Sequence, residues 1–307
     1  MTLYKNIFRL IFAVAILISV STANAANYEI SKIPLERNGY NLYLSCLKVA
    51  GNAPTKNILL IHGLTYSSHV FDVDIADYSF AKFLARKGYA VYTLDLTGYG
   101  RSDALNDGFI INGDYAAEDI NAAVDKINAG KIDLLGWSFG TISTSRFAAK
   151  YPEKVRRLIL YAPIFTGIGA ANVTTPFHNN TWEHAADDFQ KLTNGKIDFE
   201  IIDPAVANTF LANCWKYDKN SSPNGCRVEI LSAKSNRLIK LENLKCPLLI
   251  IEGTKDDYIN RAALSDAVKN LSADSEFVEI IGGSHAVMLE KPFYKKFRDA
   301  VIKFLKK

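Results

Sequence analysis

Between Lys131 and Gly140 the chain reads Lys-Ile-Asp-Leu-Leu-Gly-Trp-Ser-Phe-Gly, an apolar run that passes without interruption into Gly136-Trp137-Ser138-Phe139-Gly140. A continuous apolar run closed by turn residues suits a strand buried on both faces. The residues from about Phe139 to Lys150 carry a helical pattern, so the reading is a strand, a sharp bend at Ser138 and a helix. Glycines two positions either side of such a bend remove Cβ atoms where neighbouring backbone closes in. The bend pushes one hydroxyl out at the carboxyl end of a sheet, beside a helix N-terminus whose free N–H groups favour developing negative charge. Ser138 is therefore the candidate nucleophile.

The rest of the chain supplies a sheet for that bend. Two extended segments from Tyr28 to Val49 flank Asn38-Gly39, a strong hairpin signal. Apolar runs at Asn57–Ile61, Tyr89–Leu94, Val155–Tyr161 and Pro247–Gly253 read as further strands. Helical patterns separate them, one with Phe80, Phe83 and Leu84 stopping at Gly88, another with Ile120, Val124 and Ile127. A helix near Arg261 to Leu271, a strand at Glu276 to Ile281 and an amphipathic helix with Phe297, Val301, Phe304 and Leu305 follow. Strand and helix in alternation imply an α/β fold, a mostly parallel sheet covered by helices on both faces. The alternation breaks at residues 164–245, a stretch richer in Asn, Thr and aromatics with weaker helical patterning. It reads as a cap or lid inserted into a core formed by residues 26–163 and 246–307.

A serine hydroxyl needs a base within hydrogen-bond reach, and the base needs a third group to fix its tautomer. Of the five histidines, only His62 and His285 fall at carboxyl ends of expected strands, where ligands gather in open α/β sheets. His285 follows Gly282-Gly283-Ser284 and is the candidate base. His62, before Gly63, suits shaping a turn instead; His69, His178 and His184 default to packing or surface roles. The loop after Gly253 offers Asp256 and Asp257 as the third member, with Asp256 preferred. Asp95 and Asp103 flank Gly98-x-Gly100-x-Ser102, which suggests a turn held by local side-chain bonds.

Ser138, Asp256 and His285 stand in the order serine, acid, histidine. With His62-Gly63-Leu64, Asp95-x-x-Gly98-x-Gly100-x-Ser102, Gly136-Trp-Ser138-Phe-Gly140, Gly253-x-x-Asp256 and Gly283-Ser-His285 followed by Glu290-Lys-Pro292, the chain resembles a capped α/β-hydrolase of the esterase and lipase-like superfamily from about Tyr28 to Leu305. The resemblance implies an oxyanion hole made by the backbone N–H groups of Leu64 and Phe139. It also implies a serine hydrolase cleaving a small-molecule or lipid ester through an acyl-enzyme, with no cofactor. Acyltransfer, peptide cleavage and C–C bond cleavage use the same three side chains, and a non-catalytic binding module on the same scaffold is the reading from another class.

Composition bounds the remainder. With 307 residues, 49% of them hydrophobic, the chain can bury a large core, and a net charge of +4 with scattered basic residues gives no support to nucleic-acid binding. Lys5 and Arg9, the apolar run Leu10–Val20 and Ser21-Thr-Ala-Asn-Ala25 together describe an export signal over residues 1–25, cut after Ala25. The run is too short to span a bilayer, so no stable membrane span is expected after cleavage. Loss of Lys5 and Arg9 lowers the charge to +2 (4 minus 2), and export implies a periplasmic or secreted protein. In such a compartment Cys214 and Cys226, at the edges of the polar segment Tyr217–Gly225, are candidates for a loop-closing disulfide. Cys46 and Cys246 read as small buried hydrophobes, and no cysteine or histidine spacing suggests a metal.

Overall fold

Strands β1 (Tyr28–Arg37) and β2 (Tyr40–Val49) pair antiparallel with Arg37 opposite Tyr40. Asn38 and Gly39 between them both have positive φ, 55° and 82°, as a two-residue turn that follows the strand twist requires. The computed structural model that shows this describes residues 26–169, 172–218, 221–269 and 271–307. The expected export signal over residues 1–25 lies outside the described residues.

Next come β3 (Lys56–Ile61), α1 (Phe80–Arg86), β4 (Tyr89–Asp95), α2 (Gly113–Ile127), β5 (Ile132–Trp137), α3 (Phe139–Lys150) and β6 (Val155–Tyr161). After β6 the chain leaves the sheet through β7 (Phe177–Asn179), α4 (Trp182–Ala185), α5 (Pro204–Asp218), β8 (Ser221–Pro223) and α6 (Gly225–Ala233). It returns as β9 (Leu248–Gly253), α7 (Arg261–Val268), β10 (Glu276–Ile280) and α8 (Tyr294–Lys306).

The main sheet has eight strands in the order β1-β2-β4-β3-β5-β6-β9-β10. Its first two pairings are antiparallel, and every pairing from β4 to β10 is parallel. All six residues of β5 and of β9 are buried. Successive residues of a strand point to opposite faces, so both faces of the sheet are covered. Helices α2 and α3 pack against each other; α1 and α8 form a second group in which Phe80 and Phe297 lie 5.2 Å apart. The elbow helix starts at Phe139 and ends at Lys150, the bounds expected from its pattern.

The inserted segment between β6 and β9 is more regular than its sequence suggested. It holds a 15-residue helix, α5, which buries Val206, Ala207, Phe210, Leu211 and Cys214, and a small antiparallel sheet of β7 and β8. It shares one hydrophobic core with the sheet domain, Phe210 packing edge-on to Tyr66 at 5.6 Å, and polar ties add to this. The Asp218 carboxylate, at the end of α5, accepts from the amides of Ser67 at 3.0 Å and Gly100 at 3.1 Å and pairs with His69 Nε2 at 2.8 Å. Gln190 donates to Glu290 Oε1 at 2.8 Å.

The expected Cys214–Cys226 disulfide is corrected by the structure: both thiols are free and buried. Of the polar stretch between them, the residues up to Asp218 belong to α5 and Ser221–Pro223 form β8. Cys214 faces the interior from α5, whereas Cys226, at the start of α6, donates to the carbonyl of Ile111 at 3.0 Å. Cys46 and Cys246 are free as well. Among the described residues no helix is long and apolar enough to cross a membrane, and no group of three His, Cys, Asp or Glu side chains could hold a metal.

Candidate active site

Ser138 sits between β5 and α3 with φ 56° and ψ −120°, backbone angles that an L-residue adopts only under constraint. The constraint comes from close approach on both sides. A Cβ on Gly136 would lie 2.2 Å from the carbonyl oxygen of Gly140, and one on Gly140 would lie 2.5 Å from that of Ile61. Only hydrogen fits at either place, so the two glycines let β5, α3 and the end of β3 converge around the serine. The Ser138 carbonyl then accepts from Thr141 N at 2.9 Å and Thr141 Oγ1 at 2.5 Å, which locks the first turn of α3.

The imidazole of His285 comes to the same place from the loop after β10. Its Nδ1–H donates to Asp256 Oδ2 at 2.7 Å, and the rings of Trp137 and Tyr258 flank it at 5.5 and 4.8 Å. The His285 carbonyl is held by Tyr161 Oη at 2.7 Å and Trp137 Nε1 at 3.2 Å. Both His285 and Asp256 are buried. Burial by itself works against the imidazolium, but the Asp256 charge and hydrogen bond outweigh it, and the pKa of His285 lies above 6.5. Ser138 and His285 are walls of one cavity of about 80 Å³. Among the described residues no hydrogen bond joins the Ser138 hydroxyl to the ring; in enzymes without bound substrate such pairs are commonly long.

Asp257, the competing acid, is exposed. Asp95 is structural, as its neighbours suggested. It accepts from Ser68 N at 3.0 Å and Arg101 Nε at 3.0 Å, while Ser102 Oγ donates to its carbonyl at 2.5 Å. Asp103 accepts from Asn41 N at 2.8 Å.

The turn after β3 is set by His62. Its Nε2 accepts from Leu96 N at 3.1 Å, so the ring carries its proton on Nδ1, which donates to Gly63 O at 2.9 Å. Burial keeps this imidazole neutral, with its pKa below 6.5. A planar trans peptide points its N–H opposite its C=O. Pinning Gly63 O to His62 therefore turns Leu64 N–H away from that ring. A Cβ on Gly63 would meet Ser138 Cβ at 3.2 Å, which puts this peptide against the serine. The Leu64 carbonyl is fixed in turn by Tyr99 Oη at 2.8 Å. Phe139 N belongs to the first turn of α3, whose amides have no partner within the helix.

Among the cavity-lining residues not singled out from sequence are three that bear on the chemistry, His184 and Asp188 from the insertion and Tyr258 from the loop after β9. His184 Nδ1 lies 3.3 Å from His178 Nε2. Burial pushes Asp188 up to about 6. No residue spacing marks these three, because the fold of the insertion decides where they point.

A parallel sheet with a strained serine between strand and helix, and an imidazole–carboxylate pair on the same rim, defines the α/β-hydrolase class. Within it, the chain belongs to the serine aminopeptidase S33 family, whose model matches residues 52–292. It is a hydrolase of that superfamily. An uncharacterized carboxylesterase of Bacillus subtilis is 21% identical over 245 residues, covering 77% of this chain and 75% of its own length. A 2-hydroxy-6-oxononadienedioate/2-hydroxy-6-oxononatrienedioate hydrolase of Escherichia coli is 37% identical over 94 residues, 30% of this chain and 31% of that one. Among solved structures, a carboxylesterase of the thaumarchaeon Nitrososphaera gargenis covers 90% of this chain and 98% of its own, at 20% identity and TM-score 0.67. A thermophilic esterase of Thermogutta terrifontis covers 91% and 98%, at 17% identity and TM-score 0.66.

Proposed function

We propose that the protein is an exported serine esterase that cleaves small carboxylic esters through an acyl-enzyme on Ser138. His285 takes the Ser138 proton as the hydroxyl attacks and gives it to the leaving alcohol; water then repeats the cycle on the acyl-enzyme. Asp256 holds Nδ1 protonated, so Nε2 is free to act, and stabilises the imidazolium. The amides of Leu64 and Phe139 receive the oxyanion of the tetrahedral intermediate. The observation that carries the reading is the shared cavity of Ser138 and His285, with the His285–Asp256 bond of 2.7 Å behind it. A cavity of about 80 Å³ lined by Leu64, Ile164, Ile168 and Ile230 has room for a short acyl chain.

The test is hydrolysis of p-nitrophenyl esters of increasing acyl length, with an amino-acid p-nitroanilide in the same panel because the family description names an aminopeptidase. Acetate to butyrate should be favoured over long chains. Turnover should disappear in Ser138→Ala, and equal rates for both proteins would end this assignment. Export is tested separately: fractionation of the source cells should find the chain outside the cytoplasm and starting near Ala26.

A further inference from the structure

Asp188 lies in the inserted segment and borders two spaces at once, the cavity beside Ser138 and an outer groove of about 700 Å³. Tyr258 and His285 border both as well. The Asp188 backbone is fixed, its carbonyl accepting from Ser284 Oγ at 3.1 Å. Its carboxylate, by contrast, has no donor or cation of the described residues within hydrogen-bond distance. With a pKa of about 6 it is mostly ionised at neutral pH. The half-buried carboxylate makes no hydrogen bond of its own among the described residues and is balanced chiefly by the charge of His285 across the site, so a cationic group of a ligand can still pair with it.

The chemistry of the site says which half of the substrate meets it. His285 must hand its proton to the leaving oxygen, so the alcohol half of an ester lies on the imidazole side of Ser138. Asp188 and Tyr258 share the outer groove with His285, and the Tyr258 ring lies 4.8 Å from the imidazole. The same cavity also carries the apolar side chains of Ile164, Ile168 and Ile230, which suit the acyl half. Tyr258 stands edge-on to His285 at 68°, and an aromatic ring beside a carboxylate suits a cationic nitrogen.

The outer groove has the same bias. It carries Asp187, Asp188 and Asp257 against Lys191 and Lys255, a formal balance of −1 (two minus three), and Lys191 is already paired with Asp187. Arg227, a buried cation of the insertion, does not line the cavity. Its guanidinium is satisfied by Ser222, Pro223, Asn224 and Thr65.

We propose that Asp188 selects esters of small cationic alcohols, the ammonium group seating between its carboxylate and the Tyr258 ring. This rests on the esterase reading above and leaves its chemistry unchanged. The Ser138 Oγ–acyl bond forms, the acyl–alcohol oxygen bond breaks, and the alcohol departs with the proton that His285 carried.

Three butyrate esters of similar size test the proposal: the choline ester, its neutral isostere 3,3-dimethylbutyl butyrate, and the anionic 2-carboxyethyl ester. In the wild type, kcat/KM for the choline ester should exceed that of the neutral isostere on the order of tenfold, with the anionic ester slowest. In Asp188→Asn the choline-to-neutral ratio should fall close to one. A ratio is independent of the fraction of folded enzyme, so partial loss of the variant does not blur the result. A wild-type ratio at or below one, or a ratio that survives Asp188→Asn, overturns the proposal while turnover of the neutral ester keeps the esterase reading. Absence of turnover on all three and on p-nitrophenyl esters overturns both.

Discussion

His285 donates from Nδ1 to Asp256 Oδ2 at 2.7 Å, across 29 positions of sequence. That bond keeps the proton on the far side of the ring from the serine. It also raises the imidazole pKa above 6.5 against the opposing effect of burial.

Because the base must be neutral to accept a proton, kcat/KM should fall as pH drops through a value above 6.5. Asp256→Asn removes the two largest influences that raise the pKa and leaves burial opposed only by the Asp188 charge, so the acid limb should move to lower pH. At the pH optimum kcat should drop by roughly four orders of magnitude. A pH–rate profile of the two proteins checks this, and a limb that stays in place argues against the assigned role.

His62→Ala should release Gly63 O and with it the orientation of the Leu64 amide. Loss of one oxyanion donor typically costs about 10²–10³ in kcat. The drop should fall on kcat with KM little changed, because the interaction matures only in the transition state. Steady-state kinetics on one short ester separates the two constants, and circular dichroism confirms that the variant is folded.

All four cysteines should react with a thiol reagent in denaturant without prior reduction. The melting temperature of the protein should be the same with and without a reductant. Fewer than four titratable thiols, or a fall of several degrees on reduction, would contradict the free state of Cys214 and Cys226.

Acid should loosen the insertion through its histidines. Burial and the Arg227 charge lower His178 to about 4, and the same two influences lower His184. A depressed histidine stays neutral in the folded chain while the unfolded chain takes up a proton near 6.5, so stability is complete above that pH and declines as pH falls toward 4. Between pH 7 and 4.5 the loss from His178, reduced for its partial exposure, should be about 1–2 kcal/mol. His178→Gln removes the titration. Urea unfolding of both proteins at the two pH values should show the wild type losing more.

The sheet was legible because strands buried on both faces leave apolar runs, complete in burial at β5 and β9 and over the last four residues of β3 and β6. Ser138 was legible because glycine is the only residue that fits beside it at 136 and 140. The insertion was harder. Helix α5 does carry a helical period, burying Val206, Ala207, Phe210, Leu211, Cys214 and Asp218. However, its pattern was weaker than in the core helices, and the disulfide was expected because the polar run Tyr217–Gly225 between the two cysteines read as a loop they could close. Asp188 left no signal, since an acid beside Asp187 reads as solvated surface until the fold turns it inward.

Asp218 closes α5 by gripping Ser67, His69 and Gly100, which belong to two separate loops of the sheet domain. Grafting this segment onto a related scaffold would therefore succeed only if those recipient loops travelled with it. A chimera that moved α5 alone would bury an orphan anion where three donors now meet, and the transplant would fail at its anchor before its pocket was ever tried.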